Sequence, residues 1–274
     1  MQKKSDYKRL LGYLSSARKT FSRGWRPDIL ADDTRSAVLM QRRGLYTLYL
    51  RGWGMADEQD WLDRLVKEVN CPLDRWVGQP NYVEVYFEAA AMAGQFFTYA
   101  DENVPLLAFH GDISIPAKWE ATVRLVRRWR DLNKPVRVLY YGDFDDKGLQ
   151  IPQSAENDIR LFAPQFIGRE AQRNGEVKAD GTGPWMDEAK AFLEDFDFIR
   201  VGLNDDHIAR FNIPENPERP GTYQWEGLSD AGAQTLIARV NDYLDLAAFE
   251  RVKKEEQDAT ERFREHIRSL RRSP

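Results

Sequence analysis

Three acidic side chains in the middle of the chain have types and spacing that could bind a divalent cation. Glu88 follows the apolar-rich segment 83–87, and Asp143 and Asp145 follow the segment 136–141. In extended backbone, residues two apart point to the same side, so both aspartates face one point. Crowded carboxylates repel one another unless a cation neutralises them, and magnesium prefers such hard oxygen ligands. These residues therefore predict a Mg²⁺ site with coordination positions open to phosphate oxygens.

The neighbouring residues separate this prediction from its alternatives. An isolated Asp-x-Asp is usually a solvated turn, but here Gly142 and Gly148 let the backbone turn tightly around the motif, and Glu88 supplies a third carboxylate. An aspartate-nucleophile phosphatase is an alternative, although its motif normally follows the first strand of its domain and leaves Glu88 without a role. The sequence has no P-loop motif and no Gly-x-Ser-x-Gly elbow, so those two kinds of hydrolysis have no support.

The elements that must position these residues alternate between strand and helix. Such alternation is typical of a parallel sheet covered by helices on both faces, and ligands bind at the carboxyl ends of its strands. The pattern predicts a strand at 83–87, a helix at 89–99, a strand at 106–109, a helix at 116–132 capped by Ser114, and a strand at 136–141.

The later segments predict a second, shorter cycle. The expected elements are an exposed loop at 168–184, a strand at 198–201, a helix from the cap Asn204 through 211, an edge strand at 223–226, and a helix from the cap Ser229 through 244. A charged amphipathic tail follows, which packs on its own domain or, as the alternative, on a partner helix. We expect three segments: a helical, winged-helix-like basic module at 1–78, an α/β domain at 79–245 and a C-terminal amphipathic helix at 246–274.

The basic residues are concentrated at the start of the chain. Residues 1–51 hold twelve Lys or Arg against four Asp, a net of +8, whereas the whole chain carries -4. Phosphate binding normally shows as a basic surface, so DNA contact is predicted there, although a solvated basic helix is the alternative. The candidate nucleic-acid-binding residues are Arg35, Arg42, Arg43 and Arg51.

The composition limits the class of protein. A single cysteine, Cys71, rules out a disulfide framework, and three dispersed histidines give no basis for a structural zinc cluster. No segment approaches the ~20 apolar residues that a membrane span requires. We therefore expect a cytoplasmic protein that does not enter a membrane.

The residues around the acidic motif resemble a known family. Segments 85–90 and 139–148 are similar to the Glu and Asp-x-Asp motifs of Toprim domains. More narrowly, the chain resembles the Toprim-bearing A subunit of topoisomerase VI and its bacterial and phage relatives, kin of the meiotic double-strand-break protein. The similarity extends from segment 7–35 through 110–114 to 214–220 and Glu226.

The resemblance implies a Toprim fold, a Rossmann-like parallel sheet flanked by helices, and a magnesium-dependent enzyme that cleaves or nicks DNA. Glu88 would act as general acid/base or metal ligand, and Asp143 and Asp145 would bind Mg²⁺. The resemblance also implies a homodimer. Relatives usually carry a tyrosine that attacks DNA in a winged-helix stretch upstream of the segment matching 7–35, for which we find no match. A separate protein partner that supplies such a tyrosine is one alternative that the sequence leaves open.

Two departures from the family count against full activity, and the missing tyrosine segment favours a second hypothesis. Ala89 stands where relatives often have Lys, and Gly227 and Leu228 stand where relatives usually have Asp-Ala. A catalytically impaired Toprim-fold protein that binds DNA or serves in assembly is therefore the alternative. Tyr46 and Tyr49 lie in the basic stretch and could replace the missing tyrosine, but packing is the more common role of aromatic residues at such spacing.

Overall fold

The computed structural model describes residues 12–13, 15–21, 38–40, 58–109 and 113–270. The described residues fall into two compact units, one within 1–42 and 81–243 and the other within 43–80 and 244–274. The winged-helix-like module stays a prediction, because much of segment 1–78 lies outside the described residues. So do several residues that the sequence singled out, namely Arg35, Arg42, Arg43, Tyr46, Tyr49 and Arg51.

The first unit has an α/β fold built on a Rossmann-like sheet. Four parallel strands lie in the order β3-β2-β4-β5, and a short strand β1 pairs antiparallel with β3 at one edge. Helices flank the sheet, which confirms the predicted α/β class. The strands are β1 Val38–Met40, β2 Tyr82–Phe87, β3 Leu106–Ala108, β4 Val136–Tyr141 and β5 Phe196–Gly202.

Helices and short 3-10 turns connect the strands and follow the last one. Helix α1, Glu58–Glu68, belongs to the second unit, as does the final helix α8, Leu246–Leu270. The elements of the first unit are a 3-10 turn Ala90–Met92, α2 Ala93–Tyr99, α3 Ile115–Leu132, α4 Asp146–Arg173, α5 Trp185–Asp195, α6 Asp205–Phe211, a 3-10 turn Trp225–Gly227, α7 Asp230–Ile237 and a 3-10 turn Ala238–Tyr243.

The two central strands are buried on both faces, as expected for a parallel sheet covered by helices. All six residues of β2 are buried. Alternate side chains reach opposite layers: Glu84 bonds Arg124 of α3, whereas the ring of Phe87 stacks on Phe96 of α2 at 4.6 Å. The sheet therefore carries helices on both faces and holds its strand ends at fixed positions.

Several predicted elements differ from those observed. Residues 168–173, predicted as loop, form the end of α4, whose buried stripe includes Ala155, Ile159, Ala163 and Ile167. Two prolines inside α4 disguise it in the sequence, since proline normally interrupts a helix. The predicted edge strand at 223–226 is one isolated bridge followed by a 3-10 turn, and the helix that Ser229 caps ends as α-helix at Ile237.

The second unit pairs α8 with α1 and with the segment before β2. The Trp76 and Phe249 rings meet edge to face at 5.3 Å. Arg75 Nε donates to Glu256 Oε2 at 3.0 Å, and both side chains are largely buried. The amphipathic tail therefore packs on residues 58–80 of its own chain, and the alternative of a partner helix stays a prediction.

Among the described residues, no helix is both long enough and apolar enough to cross a membrane.

Candidate functional site

Glu88 and Asp143 follow the two strands at the centre of the sheet. Strands β2 and β4 are parallel neighbours, and the amide of Glu88 donates to the carbonyl of Tyr141 at 2.9 Å. After β2 the chain turns toward β3, and after β4 it turns toward β5 on the other side. In open α/β sheets the ligand crevice lies where the strand order reverses in this way. The sheet therefore brings these residues to the edge where a ligand is expected.

A hydrogen bond joins the two acidic motifs directly. Glu88 Oε2 accepts from the backbone amide of Asp143 at 2.9 Å. Asp143 Oδ1 in turn accepts from the amide of Trp225 at 2.8 Å. Paired backbone hydrogen bonds of 2.8 and 3.0 Å between Phe144 and Tyr223 fix the segment that supplies this amide. Three separate parts of the chain thus hold the Glu88 and Asp143 carboxylates in one place.

Asp145 has a structural role in the same loop. It is the N-cap of α4, and its Oδ1 accepts from the amide of Gly148 at 2.7 Å. A carboxylate at a helix N-terminus is also favoured by the helix dipole. One Asp145 oxygen is therefore engaged in capping, while its negative charge still acts on Glu88 and Asp143.

The carboxyl groups of Glu88 and Asp143 resist ionisation in the free protein. Burial raises the pKa of Glu88 to about 7, and the charges of Asp143 and Asp145 add to the rise, although the hydrogen bond from the Asp143 amide opposes it. Burial also raises the pKa of Asp143, and the negative charges of Glu226 and Asp145 add to this rise. The site concentrates negative charge that a bound cation would relieve.

Arg200, inside β5, ties together the backbone that carries the motif. Its Nη2 donates to the carbonyls of Asp143 at 2.6 Å and Leu203 at 2.8 Å, and its Nη1 donates to the carbonyl of Gly148. The positive charge of the guanidinium opposes the rise in the pKa of Glu88 and in that of Asp143. Arg200 therefore fixes the loop and partly balances its charge.

Gly142 and Gly148 leave no room for a side chain beside the carboxylates. A Cβ added at Gly142 would lie 2.6 Å from Glu88 Oε2, and one added at Gly148 would lie 2.1 Å from the Asp143 carbonyl oxygen. These are contacts that real Cβ atoms do not make. The sequence predicted these glycines for a tight turn. In the structure they are required because Glu88 Oε2 and the Asp143 carbonyl lie too close for any side chain.

We expect Gly148→Ala to disrupt the loop that holds Asp143. The new methyl group collides with backbone rather than with a flexible side chain, so the free energy of unfolding should fall by about 2 kcal/mol. Urea denaturation measures the change. Gly94→Ala is the matched control, because a Cβ at Gly94, in α2, meets nothing within 4 Å and should be neutral or slightly stabilising. Equal stabilities for both variants would contradict the expectation.

The residues present fit a magnesium ion that is bound partly by other ligands. Their donors are hard carboxylate oxygens, and burial together with the charges of Asp143 and Asp145 raises the pKa of Glu88, an effect that a bound cation would oppose. Within the described part of the chain, no group of three or more His, Cys, Asp and Glu side chains is arranged to hold a metal. Magnesium is commonly held by one or two carboxylates and completes its shell with water and phosphate oxygens, so Glu88 and Asp143 suffice as protein ligands.

The structure also brings residues to the site that the sequence-based prediction missed. Glu226 is close enough to Asp143 to raise its pKa, and the Trp225 amide is a direct partner. Arg200 and Tyr140 border the same loop. The signal for Arg200 was a charged side chain within a predicted strand, and the family resemblance extended to Glu226. The Trp225 amide carries no signal in the sequence.

Comparison of the chain with protein-family models, curated proteins and solved structures finds no match in any of the three.

Proposed function

We propose that the chain is a Toprim-type, magnesium-dependent enzyme of the topoisomerase VI A-subunit kind that nicks or cleaves DNA strands. The observation that carries the proposal is the hydrogen-bonded pair of Glu88 and Asp143 at the reversal point of a parallel sheet. Glu88 and Asp143, which meet there, belong to the Glu and Asp-x-Asp motifs that resemble those of Toprim domains. The strand order and the motif residues support the same conclusion independently.

Glu88 and Asp143 would hold the ion, with Asp145 adding charge beside them. Bound Mg²⁺ would polarise a phosphodiester oxygen and favour attack on phosphorus. In the metal-free protein the pKa of Glu88 is about 7, and a bound cation would lower it, so Glu88 would be ionised as a ligand. Arg200 and the Trp225 amide keep the loop in place, so the carboxylates need little rearrangement to meet a ligand.

The test is incubation of supercoiled plasmid with the chain and Mg²⁺, followed by denaturation with and without protease. We expect slow nicking that requires Mg²⁺, and products free of covalent protein, because activated water rather than tyrosine would attack phosphorus. An adduct that is lost when Tyr46 or Tyr49 is replaced would show tyrosine attack by this chain. No cleavage with any divalent metal would sink the enzymatic proposal.

A second candidate function is DNA binding or assembly by a catalytically impaired Toprim-fold protein. The capping role of Asp145 favours it, since one oxygen of the second aspartate is already committed to the Gly148 amide. Mg²⁺-independent DNA binding without nicking would support this candidate. In either case we propose DNA as the partner of the chain and a homodimer as its assembly.

DNA binding is expected to depend on the basic residues of segment 1–51. Reversing two charges, Arg42→Glu with Arg43→Glu, should weaken binding by at least ~10-fold at moderate salt and reduce the salt slope by about 2, because each phosphate contact releases counterions. Fluorescence anisotropy over a salt series measures both quantities.

Lys254→Glu with Arg262→Glu provides the matched control. Both residues are exposed on α8, and the double substitution changes the net charge by the same amount. Binding by this control should be close to that of the unchanged chain. If the control loses as much affinity as the Arg42 and Arg43 variant, the effect is one of net charge and the binding surface lies elsewhere.

A further inference from the structure

Tyr140 is held rigidly next to the acidic site. It is the penultimate residue of β4 and is fully buried. Its ring centroid lies 5.8 Å from that of Phe109 and 6.2 Å from that of Phe198, and the Arg200 guanidinium lies over the ring at 5.7 Å. These contacts fix where the hydroxyl group points.

The Tyr140 hydroxyl differs from those of its neighbours because it has no hydrogen-bond partner among the described residues. The other tyrosines of β2 and β4 are paired: Tyr82 and Tyr86 donate to Glu84, and Tyr141 donates to the Leu236 carbonyl. A buried hydroxyl without a partner destabilises a fold, and phenylalanine would avoid that cost. The position therefore favours a tyrosine that gains a partner when a ligand binds.

The hydroxyl and the Glu88 carboxylate border the same small space. A Cβ placed on Gly142 would lie 2.8 Å from Tyr140 Oη and 2.6 Å from Glu88 Oε2. Glycine at this position keeps the space open. Burial raises the pKa of Tyr140, and the charge of Glu88 adds to the rise, so the hydroxyl keeps its proton and acts as a donor.

We propose that Tyr140 is a positioning residue that donates a hydrogen bond from Oη to Glu88 Oε2 in the Mg²⁺-bound state. Both atoms lie within 3 Å of the point where a Gly142 Cβ would be, so we expect a movement of the Glu88 side chain to bring them into contact. Oε2 is then held by the Tyr140 hydroxyl and the Asp143 amide, and Oε1 is directed to the cation. A hydrogen bond to an ionised carboxylate is strong and short, so it can fix the orientation of a metal ligand. This inference rests on the proposed function of the site.

The experiment compares Tyr140→Phe with the unchanged full-length chain. Titration calorimetry with Mg²⁺ should give ~10-fold weaker binding for Tyr140→Phe, the range typical of a lost partner of a metal ligand. Its unfolding midpoint without Mg²⁺ should be unchanged or higher, because an unpaired buried hydroxyl is removed. In protein labelled with ¹³C at tyrosine Cζ, the Tyr140 resonance should shift when Mg²⁺ is added.

Tyr141→Phe is the matched control. It removes the neighbouring hydroxyl, whose partner is the Leu236 carbonyl on the opposite face of the sheet. Its Mg²⁺ affinity should stay within about twofold of the unchanged chain, with a lower unfolding midpoint. Equal Mg²⁺ affinity for Tyr140→Phe and the unchanged chain would overturn the role of Tyr140 alone. An unchanged chain that binds no Mg²⁺ would overturn the proposed function, and this inference with it.

Discussion

Asp143→Asn is expected to reduce Mg²⁺-dependent nicking of supercoiled plasmid by at least ~100-fold. The substitution removes a charged ligand, and even the loss of an outer partner of a metal ligand typically costs 10–100-fold. Asparagine keeps a side-chain oxygen that can accept the hydrogen bond from the Trp225 amide, so the loop should stay folded. The nicking rate at saturating Mg²⁺ measures the loss.

Stability should move in the opposite direction from activity in the same variant. The pKa of Asp143 is raised above its usual value, so ionisation of this group at neutral pH opposes folding. Asp143→Asn should therefore be as stable as the unchanged chain at pH 7, or more stable, when no metal is present. A variant that is inactive because it is unfolded would instead be less stable than the unchanged chain at pH 7.

Asp146→Asn is the matched control for Asp143→Asn. Asp146 is exposed at the first position of α4 and carries the same charge. Its replacement should leave the nicking rate within about twofold. If Asp143→Asn nicks at the rate of this control, Asp143 has no part in the reaction.

Arg124→Met is expected to lower the free energy of unfolding by about 3–5 kcal/mol, because it leaves a buried carboxylate without its counter-ion. Glu84 is fully buried, and Arg124 donates to both of its oxygens at 2.9 and 2.8 Å. Tyr82 and Tyr86 donate to the same carboxylate at 2.8 and 3.0 Å. Urea denaturation at neutral pH measures the change. Adding Glu84→Gln should recover part of the loss, since it removes the unpaired charge.

The pH dependence of this effect has a definite sign. Burial opposes ionisation of Glu84, but Arg124 and the hydrogen bonds hold its pKa below the ordinary value of 4.5. The pair therefore stabilises the fold above that pH, and the contribution is lost as the pH falls through the lowered pKa. Without Arg124, burial raises the Glu84 pKa, and stability then falls as the pH rises above 4.5. The difference between the two proteins should be larger at pH 8 than at pH 5.

Arg127→Met serves as the matched control on the same helix. The Arg127 side chain is 63% exposed, and its contact with Glu170 is 3.9 Å long. An exposed ion pair of this kind contributes little, so the loss should be about 0.5 kcal/mol or less. Similar losses for both arginines would show that helix α3 is sensitive to any change of charge and that the Glu84 pair is not special.

Much of the first unit could be predicted because its signals are local. The strand at 136–141 and the helix through Leu132 follow from runs of apolar residues and from the cap Ser114, which accepts from the Ala117 amide. Helix α4 was missed because its two prolines are tolerated only where packing compensates for them. Strand β1 is three residues long and carries too little pattern to be recognised.

The sequence by itself determined which side chains could meet at a cation site. Glu88 and Asp143 each follow a strand, and strand ends in a parallel sheet share one edge whatever the details of packing. Only the tertiary structure decided how the charges are balanced. The Trp225 amide and the Arg200 guanidinium come from segments distant along the chain, and no spacing rule relates them to the motif. Burial, which raises the pKa of Glu88 to about 7, depends on everything packed around the loop and so is not encoded in any local pattern.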